Sequence, residues 1–168
     1  GQVEFVLPDP LLSRMLTRFL PYQALAGRVY GRTGLYQPGG AYGFRDQLQD
    51  LLCLTPLVPR LTRAHLLACA ARQFEAGDVL HWWHEPALGV RTRISDDMLF
   101  LPYVTACYVA ETGDRAVLEE EAPYLKDAPL PADQEDLYAP MERGDTWASL
   151  HQHCLAALRR ASATGPKG

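Results

Sequence analysis

Apolar residues recur at helical spacing in several separate stretches of this sequence, and proline or glycine closes most of them. Leu12, Met15, Leu16, Phe19, Leu20, Leu25 and Val29 form one such stripe from about Leu11 to Tyr30, which Pro21 is expected to bend or divide. Gly31 to Gly43 is rich in glycine and holds Pro38, so a loop is expected there. A second helix is predicted from near Phe44 through Leu48, Leu51 and Leu52 until Pro56 and Pro59 stop it. A third starts at Thr62, carries Leu66, Leu67, Ala70 and Phe74 on one face, and ends at Gly77. Val79 to Arg93 reads as a short extended piece or loop. Ser95 ahead of Asp96 and Asp97 predicts the N-cap of a helix that closes around Thr112-Gly113-Asp114. Ala116 to Leu125 reads as a short acidic helix, Asp127 to Arg143 as a connection, and Thr146 to Ala161 as a final helix. Hairpin signals, a glycine-rich phosphate fingerprint and β-α-β alternation are all missing. The expected fold is therefore all-α, with the chemistry gathered in the loops.

Composition narrows the function. With 168 residues, 48% of them hydrophobic and 21% charged, the chain is long enough and apolar enough to bury a core. A net charge of -4 with scattered arginines is the wrong footprint for tracking phosphates, so no nucleic-acid partner is expected. Apolar runs such as Met98 to Tyr103 and Tyr108 to Ala110 are far too short for a bilayer, and no membrane contact is expected of this segment. Gly1-Gln2-Val3-Glu4 has neither the basic start nor the apolar stretch of a signal peptide. Cys53, Cys69, Cys107 and Cys154 lie in apolar helical contexts without C-x-x-C spacing, which reads as reduced core thiols and a cytoplasmic location.

The unusual residues gather in three places. Tyr36 to Asp50 combines glycines, which let backbone approach another surface, with Arg45, Asp46, Gln49 and Asp50. Asp46 and Asp50 are spaced to share one helix face, where like charges call for a compensating partner such as Arg45, a set of sugar hydroxyls or a cation. An acidic first turn with Arg45 as a surface ion pair accounts for the same residues. His81-Trp82-Trp83-His84 is the second cluster. On an extended chain the two indoles face opposite ways, so one can pack inward while the other offers a flat face to a sugar ring, or both can be core. His81 and His84 lack a third ligand at metal spacing, so no metal site is expected. Arg91, Arg93, Asp96 and Asp97 form the third cluster, in which an arginine is expected to pair with Asp96, Asp97 or a carboxylate of the Asp46–Asp50 turn. His153-Cys154 is not expected to act as a catalytic pair, because neighbours on a helix point in different directions.

These clusters, in this order, resemble family 94 of the glycoside hydrolases, the inverting disaccharide phosphorylases, and within it the branch of phosphorylase-like domains found in cyclic β-1,2-glucan synthases. Leu20-Pro21-Tyr22-Gln23-Ala24-Leu25-Ala26, the Tyr36–Asp50 string, Arg72-Gln73-Phe74, Gly77-Asp78-Val79, His81-Trp82-Trp83 and Gly89 to Asp97 carry the likeness. Leu101-Pro102-Tyr103, Thr112-Gly113-Asp114 and His153-Cys154 extend it over nearly the whole chain. The resemblance implies a partial (α/α)6 barrel with roughly half of its helices, lacking the family's N-terminal β-sandwich and the C-terminal half. It also implies no cofactor, inorganic phosphate as co-substrate, and a β-glucan oligosaccharide as partner. Self-association through exposed helix faces, such as the Leu99–Val104–Cys107 stripe, is expected of half a barrel.

Inverting phosphorolysis needs one carboxylic acid to protonate the glycosidic oxygen while phosphate attacks the anomeric carbon from the opposite face. By resemblance, Asp46 matches the aspartate that binds the transferred glucosyl unit, with Arg45 as its neighbour. Gln49, Asp50, Trp82, Trp83, Arg91, Arg93, Asp96 and Asp97 complete the expected sugar-binding set. Cellobiose-type relatives place an arginine where Gly40 stands, which favours the β-1,2-glucan branch here. The family's general acid lies in a D-W-N-D motif after the helix bearing the H-C pair, whereas this sequence ends at Gly165-Pro166-Lys167-Gly168. No catalytic residue is therefore expected within the segment, which is expected to be inactive alone. A non-catalytic carbohydrate-binding module and a purely structural helical domain remain as alternative readings.

Overall fold

The computed structural model describes residues 3–30, 40–86, 88–126, 130–131 and 133–162. Helical winding runs from Pro10 to Tyr30, as the apolar stripe predicts, but alternates in pitch. The α-helix α1 (Pro10–Arg14) leads into a π stretch at Met15–Phe19, then α2 (Leu20–Gln23), then a second π stretch at Ala24–Tyr30. Pro21 sits in the first turn of α2, where the change of winding on either side absorbs its missing N–H. The expected loop from Gly31 lies outside the described residues up to position 39, and the chain beyond 162 lies outside them too.

A two-residue strand β1 (Tyr42–Gly43) turns directly into helix α3 (Phe44–Leu54). Phe44, Leu48 and Leu51 fall on one face of α3 and are completely buried. Helix α4 (Pro59–Ala70) begins with proline in its first turn, where a fixed φ helps and no N–H is missed. Its Thr62 hydroxyl lies 3.0 Å from that of Thr55, so the only polar side chain on its buried face is satisfied. Strands β2 (Leu80–His84) and β3 (Leu88–Thr92) follow as an antiparallel pair. A 3-10 turn at Asp97–Leu99 opens helix α5 (Phe100–Thr112), which stops at Gly113, whose φ of 71° is the left-handed cap that glycine adopts without strain. Beyond it come a 3-10 turn at Arg115–Glu119, strands β4 (Glu121–Leu125), β5 (Asp136–Pro140) and β6 (Arg143–Ser149), and helix α6 (Leu150–Ala161). Ser149 and Gln152 form a reciprocal capping box at the start of α6.

Two antiparallel sheets overturn the all-α expectation and the half barrel with it. One has the order β1-β2-β3-β5, and the other pairs β4 with β6. Four local readings change accordingly. The extended piece from Val79 is a hairpin, the acidic helix over Ala116–Leu125 is a 3-10 turn plus β4, the Asp127–Arg143 connection contains β5, and the last helix starts at Leu150 after β6. Each strand is short, and side chains that read as helical or loop-like are exposed on it. Glu121 in β4 and Arg143 and Asp145 in β6 face solvent, while only Ala122, Tyr124, Leu125 and Ala148 are buried. Pairing with a distant strand, not local alternation, makes them β. Asp96, not Ser95, occupies the cap position before the 3-10 turn, without a capping side-chain bond.

The main core joins α3, α4, α5 and α6 to the strands through Phe44, Leu48, Leu66, Phe74, Leu101, Val104 and Leu150. Of the Leu99–Val104–Cys107 stripe, Val104 is fully buried while Leu99 is exposed; more exposed apolar side chains lie near the N-terminus, at Val6, Leu11 and Tyr22. Cys69 and Cys154 are buried, Cys107 is half-buried, Cys53 is exposed, and all four are free thiols. Gly77 adopts φ +94° against α6, where an added Cβ would collide with the Ala156 backbone carbonyl and Arg160 Cβ. Gly77→Ala is expected to destabilise the protein by about 1–3 kcal/mol from backbone strain alone, read as a lower denaturant midpoint.

Candidate functional site

The pairing of β1 with β2 builds the site. Tyr42 lies opposite Trp83 and Gly43 opposite Trp82, so the first turn of α3 emerges beside the tryptophan pair. The two indoles separate as strand alternation requires. Trp83 is buried, stacks on Tyr42 with ring centroids 5.4 Å apart, and donates from Nε1 to Glu85. Trp82 is half-buried and meets His84 and Tyr138 instead. Asp46 is exposed in the first turn of α3, and its carboxylate folds back over Gly43, filling the space a side chain there would need. Acidic side chains are favoured at that helix end by its unpaired N–H groups.

Arg45 reaches out of α3 and donates from Nη1 to Asp96 at 2.6 Å, with its guanidinium 4.9 Å from the Phe100 ring. Gln49, one turn on, accepts from Arg45 Nε at 3.3 Å. Asp97 turns the other way: its buried carboxylate lies 2.7 Å from His81 Nδ1 on β2. Burial pushes the Asp97 carboxyl up, opposed by the hydrogen bond to His81. Asp50 leaves this group and pairs with Arg28 at 3.0 Å, and burial, set against that arginine, raises its pKa as well.

The arginines of the third cluster do not make the expected pairs. Arg91 is buried against Asp78, donating to both carboxylate oxygens at 2.7 and 2.9 Å, with its guanidinium 3.8 Å from the Phe74 ring centroid. Arg93 donates to the backbone carbonyls of Gln134 and Pro131. Position along the strand is the reason. Arg91 lies within β3, where Gly89, Val90 and Arg91 are all buried, whereas Arg93 lies beyond the strand's end. Thus Arg45, Gln49, Asp96, Asp97 and the start of α3 share one neighbourhood, while Asp50, Trp83, Arg91 and Arg93 are used elsewhere. Asp78 and His81 gain roles that the sequence does not signal, since spacing tests His81 only as a metal ligand and leaves Asp78 in the Gly77-Asp78-Val79 string without one.

Among the described residues no group of three or more His, Cys, Asp or Glu side chains is placed to hold a metal ion. A cavity of about 420 Å³ lies between the sheets, lined by Arg72, Trp83, His84, Met141 and Arg143, and Asp46 takes no part in it. His153 and Cys154 point apart, as expected of helix neighbours. His153 contacts Gln73 and the Ala122 carbonyl, and Cys154 contacts Thr105, with its thiol pushed up by burial to about 11.

Over its whole length the chain is 42% identical to the cyclic beta-(1,2)-glucan synthase NdvB of Rhizobium meliloti (strain 1021), covering 6% of that protein. Over 83% of the chain it is 29% identical to the solabiose phosphorylase of Paenibacillus borealis, covering 14% of that protein. Over 90% of the chain it is 27% identical to the N,N'-diacetylchitobiose phosphorylase of Vibrio furnissii, covering 20% of it. The chain thus spans a fifth or less of the length of these curated relatives. Residues 1–162 match the catalytic domain of the glycosyl hydrolase 94 superfamily, and the chain belongs to that family, as its motifs implied. No helix among the described residues is long and apolar enough to cross a membrane.

Two outcomes test this geometry. Asp78→Ala leaves the buried Arg91 charge without its bidentate partner and is expected to cost about 3–5 kcal/mol of stability in denaturant unfolding. Iodoacetamide at pH 8 is expected to label exposed Cys53 in the native protein and to spare Cys154, whose thiolate forms only near pH 11.

Proposed function

We propose that this chain supplies the glucosyl-binding part of a family 94 domain that transfers β-glucosyl units by inverting phosphorolysis, with inorganic phosphate as co-substrate and a β-1,2-linked glucan as carbohydrate. The observation that carries the reading is the placement of the Asp46 carboxylate over Gly43, the residue paired with Trp82. An accepting carboxylate next to a half-buried aromatic face is the pairing that sugar hydroxyls and sugar C–H faces require. The identity to a cyclic beta-(1,2)-glucan synthase favours the β-1,2 linkage, and the phosphorylases among the relatives favour phosphate as the nucleophile. Arg45, Asp46, Gln49 and Trp82 form the cradle, and Asp96 holds Arg45 in place before the sugar arrives.

The chain binds sugar in this reading and does not protonate the leaving oxygen. Asp50 and Asp96 each accept from an arginine, the role of an ionised carboxylate and not of a general acid, and the buried Asp97 carboxylate lies against His81. The chemistry then belongs to a carboxylic acid elsewhere in the protein, opposite the attacking phosphate.

Phosphate-dependent release of glucose 1-phosphate from sophoro-oligosaccharides by the full-length protein tests the proposal. Asp46→Asn is expected to lower kcat/KM by about ten- to a hundredfold, the worth of a hydrogen bond to a charged group. An unchanged kcat/KM overturns the assignment. The 168-residue chain by itself is expected to release no glucose 1-phosphate, and turnover matching that of the full-length protein would place the proton donor inside it.

A further inference from the structure

We propose that His81 is a sugar-binding residue in its own right, presenting Nε2 to one hydroxyl of the β-glucosyl unit, and that Asp97 is its positioning residue and not itself a sugar ligand. The inference rests on the reading of the Asp46 neighbourhood as a sugar cradle. His81 stands on β2 immediately before Trp82, and its side chain is 39% exposed, whereas that of Asp97 is only 4% exposed. The 2.7 Å contact between His81 Nδ1 and Asp97 Oδ2 joins a half-open ring to a closed carboxylate. An ionised carboxylate only accepts, so the Nδ1 proton is committed to Asp97 and the ring orientation is fixed. In the neutral ring this leaves Nε2 as a bare acceptor, and no hydrogen bond from it is seen among the described residues.

The carboxylates of Asp96 and Asp97 make the arrangement more than a single pair. They are consecutive in the turn before α5, yet Asp96 takes Arg45 from α3 while Asp97 takes His81 from β2. Arg45 adjoins Asp46, and β2 carries Trp82, so one short turn sets the spacing of acid, imidazole and indole. A buried carboxylate facing no substrate is explained by what it orients, as carboxylates orient imidazoles in other hydrogen-bonded dyads. Asp97 has no accessible face to offer a sugar, whereas His81 has one.

Calorimetric titration of the full-length protein with sophorose, without phosphate, tests the proposal. His81→Asn keeps an N–H near the Nδ1 position for Asp97 and deletes Nε2, and is expected to weaken binding about three- to tenfold with an unchanged melting temperature. His81→Gln, which carries an acceptor oxygen near the Nε2 position, is expected to recover part of that loss. Monodeoxy sophoroses give a readout that a structural role would not produce. One analogue is expected to bind wild type and His81→Asn equally, because it lacks the hydroxyl that Nε2 accepts from. Equal weakening of every analogue, or no weakening of any, overturns the proposal. Asp46→Asn, run alongside, separates the two readings. If it loses affinity while His81→Asn keeps it, only the His81 role is wrong. If Asp46→Asn binds sophorose normally, the cradle is wrong and the His81 role falls with it.

Discussion

Gln73 sits completely buried just beyond the end of α4, and its hydrogen bonds hold together elements from opposite ends of the chain. Its amide nitrogen donates to the carbonyls of Gly77 and His153, and its amide oxygen lies 2.7 Å from His153 Nδ1. The Gln73 backbone carbonyl accepts from Leu125 on β4, and His153 Nε2 lies 3.1 Å from the Ala122 carbonyl on the same strand. A buried polar group left without a partner costs about 1–3 kcal/mol, so α4, α6 and β4 are bound to one arrangement. The turn from Phe74 to Asp78, closed by Phe74 N–H to the Asp78 carbonyl, then launches β2 in a set direction. Everything at the candidate site depends on where β2 runs.

Charge is divided between that interior and the rim in a consistent way. The Asp78–Arg91 pair is buried with 10% and 8% side-chain exposure, and its two hydrogen bonds and aromatic neighbour answer the cost of desolvation. It fixes β3 to the turn that precedes β2. Arg28–Asp50, with the arginine 60% exposed, adds little stability, since exposed pairs are screened and flexible. Between these extremes lies His81–Asp97, a half-open ring on a closed carboxylate, while Arg45–Asp96 is as open to solvent as Arg28–Asp50. Groups that must meet a ligand belong in that intermediate regime, ordered before binding and still reachable by it.

The legible parts of the sequence were those where local spacing and tertiary packing agree. Phe44, Leu48 and Leu51 predict α3, Gly113 marks the end of α5, and Leu150, Cys154 and Leu158 align on α6. Trp82 and Trp83 divide between surface and interior as alternation demands. The strands were missed because none of them carries a long alternating run. In β4 only Ala122, Tyr124 and Leu125 are buried, and its partner β6 begins eighteen positions after β4 ends. Arg91 pairs with Asp78, across a turn and a strand, instead of with the nearer Asp96 and Asp97, because the β2–β3 hairpin brings Asp78 to it.

The sequence by itself determined the helices with strong apolar faces, the acidic and aromatic character of the site, and membership of family 94, since residue type and spacing carry those directly. Only the tertiary structure decided that the chain is mixed α/β, that Arg45 pairs with Asp96, and that His81 pairs with Asp97. Those outcomes rest on strand register. Gly43 faces Trp82 and Leu80 faces Arg91 because distant backbone N–H and C=O groups must find one another once buried. A pairing between segments so far apart leaves no local periodicity for a sequence to display.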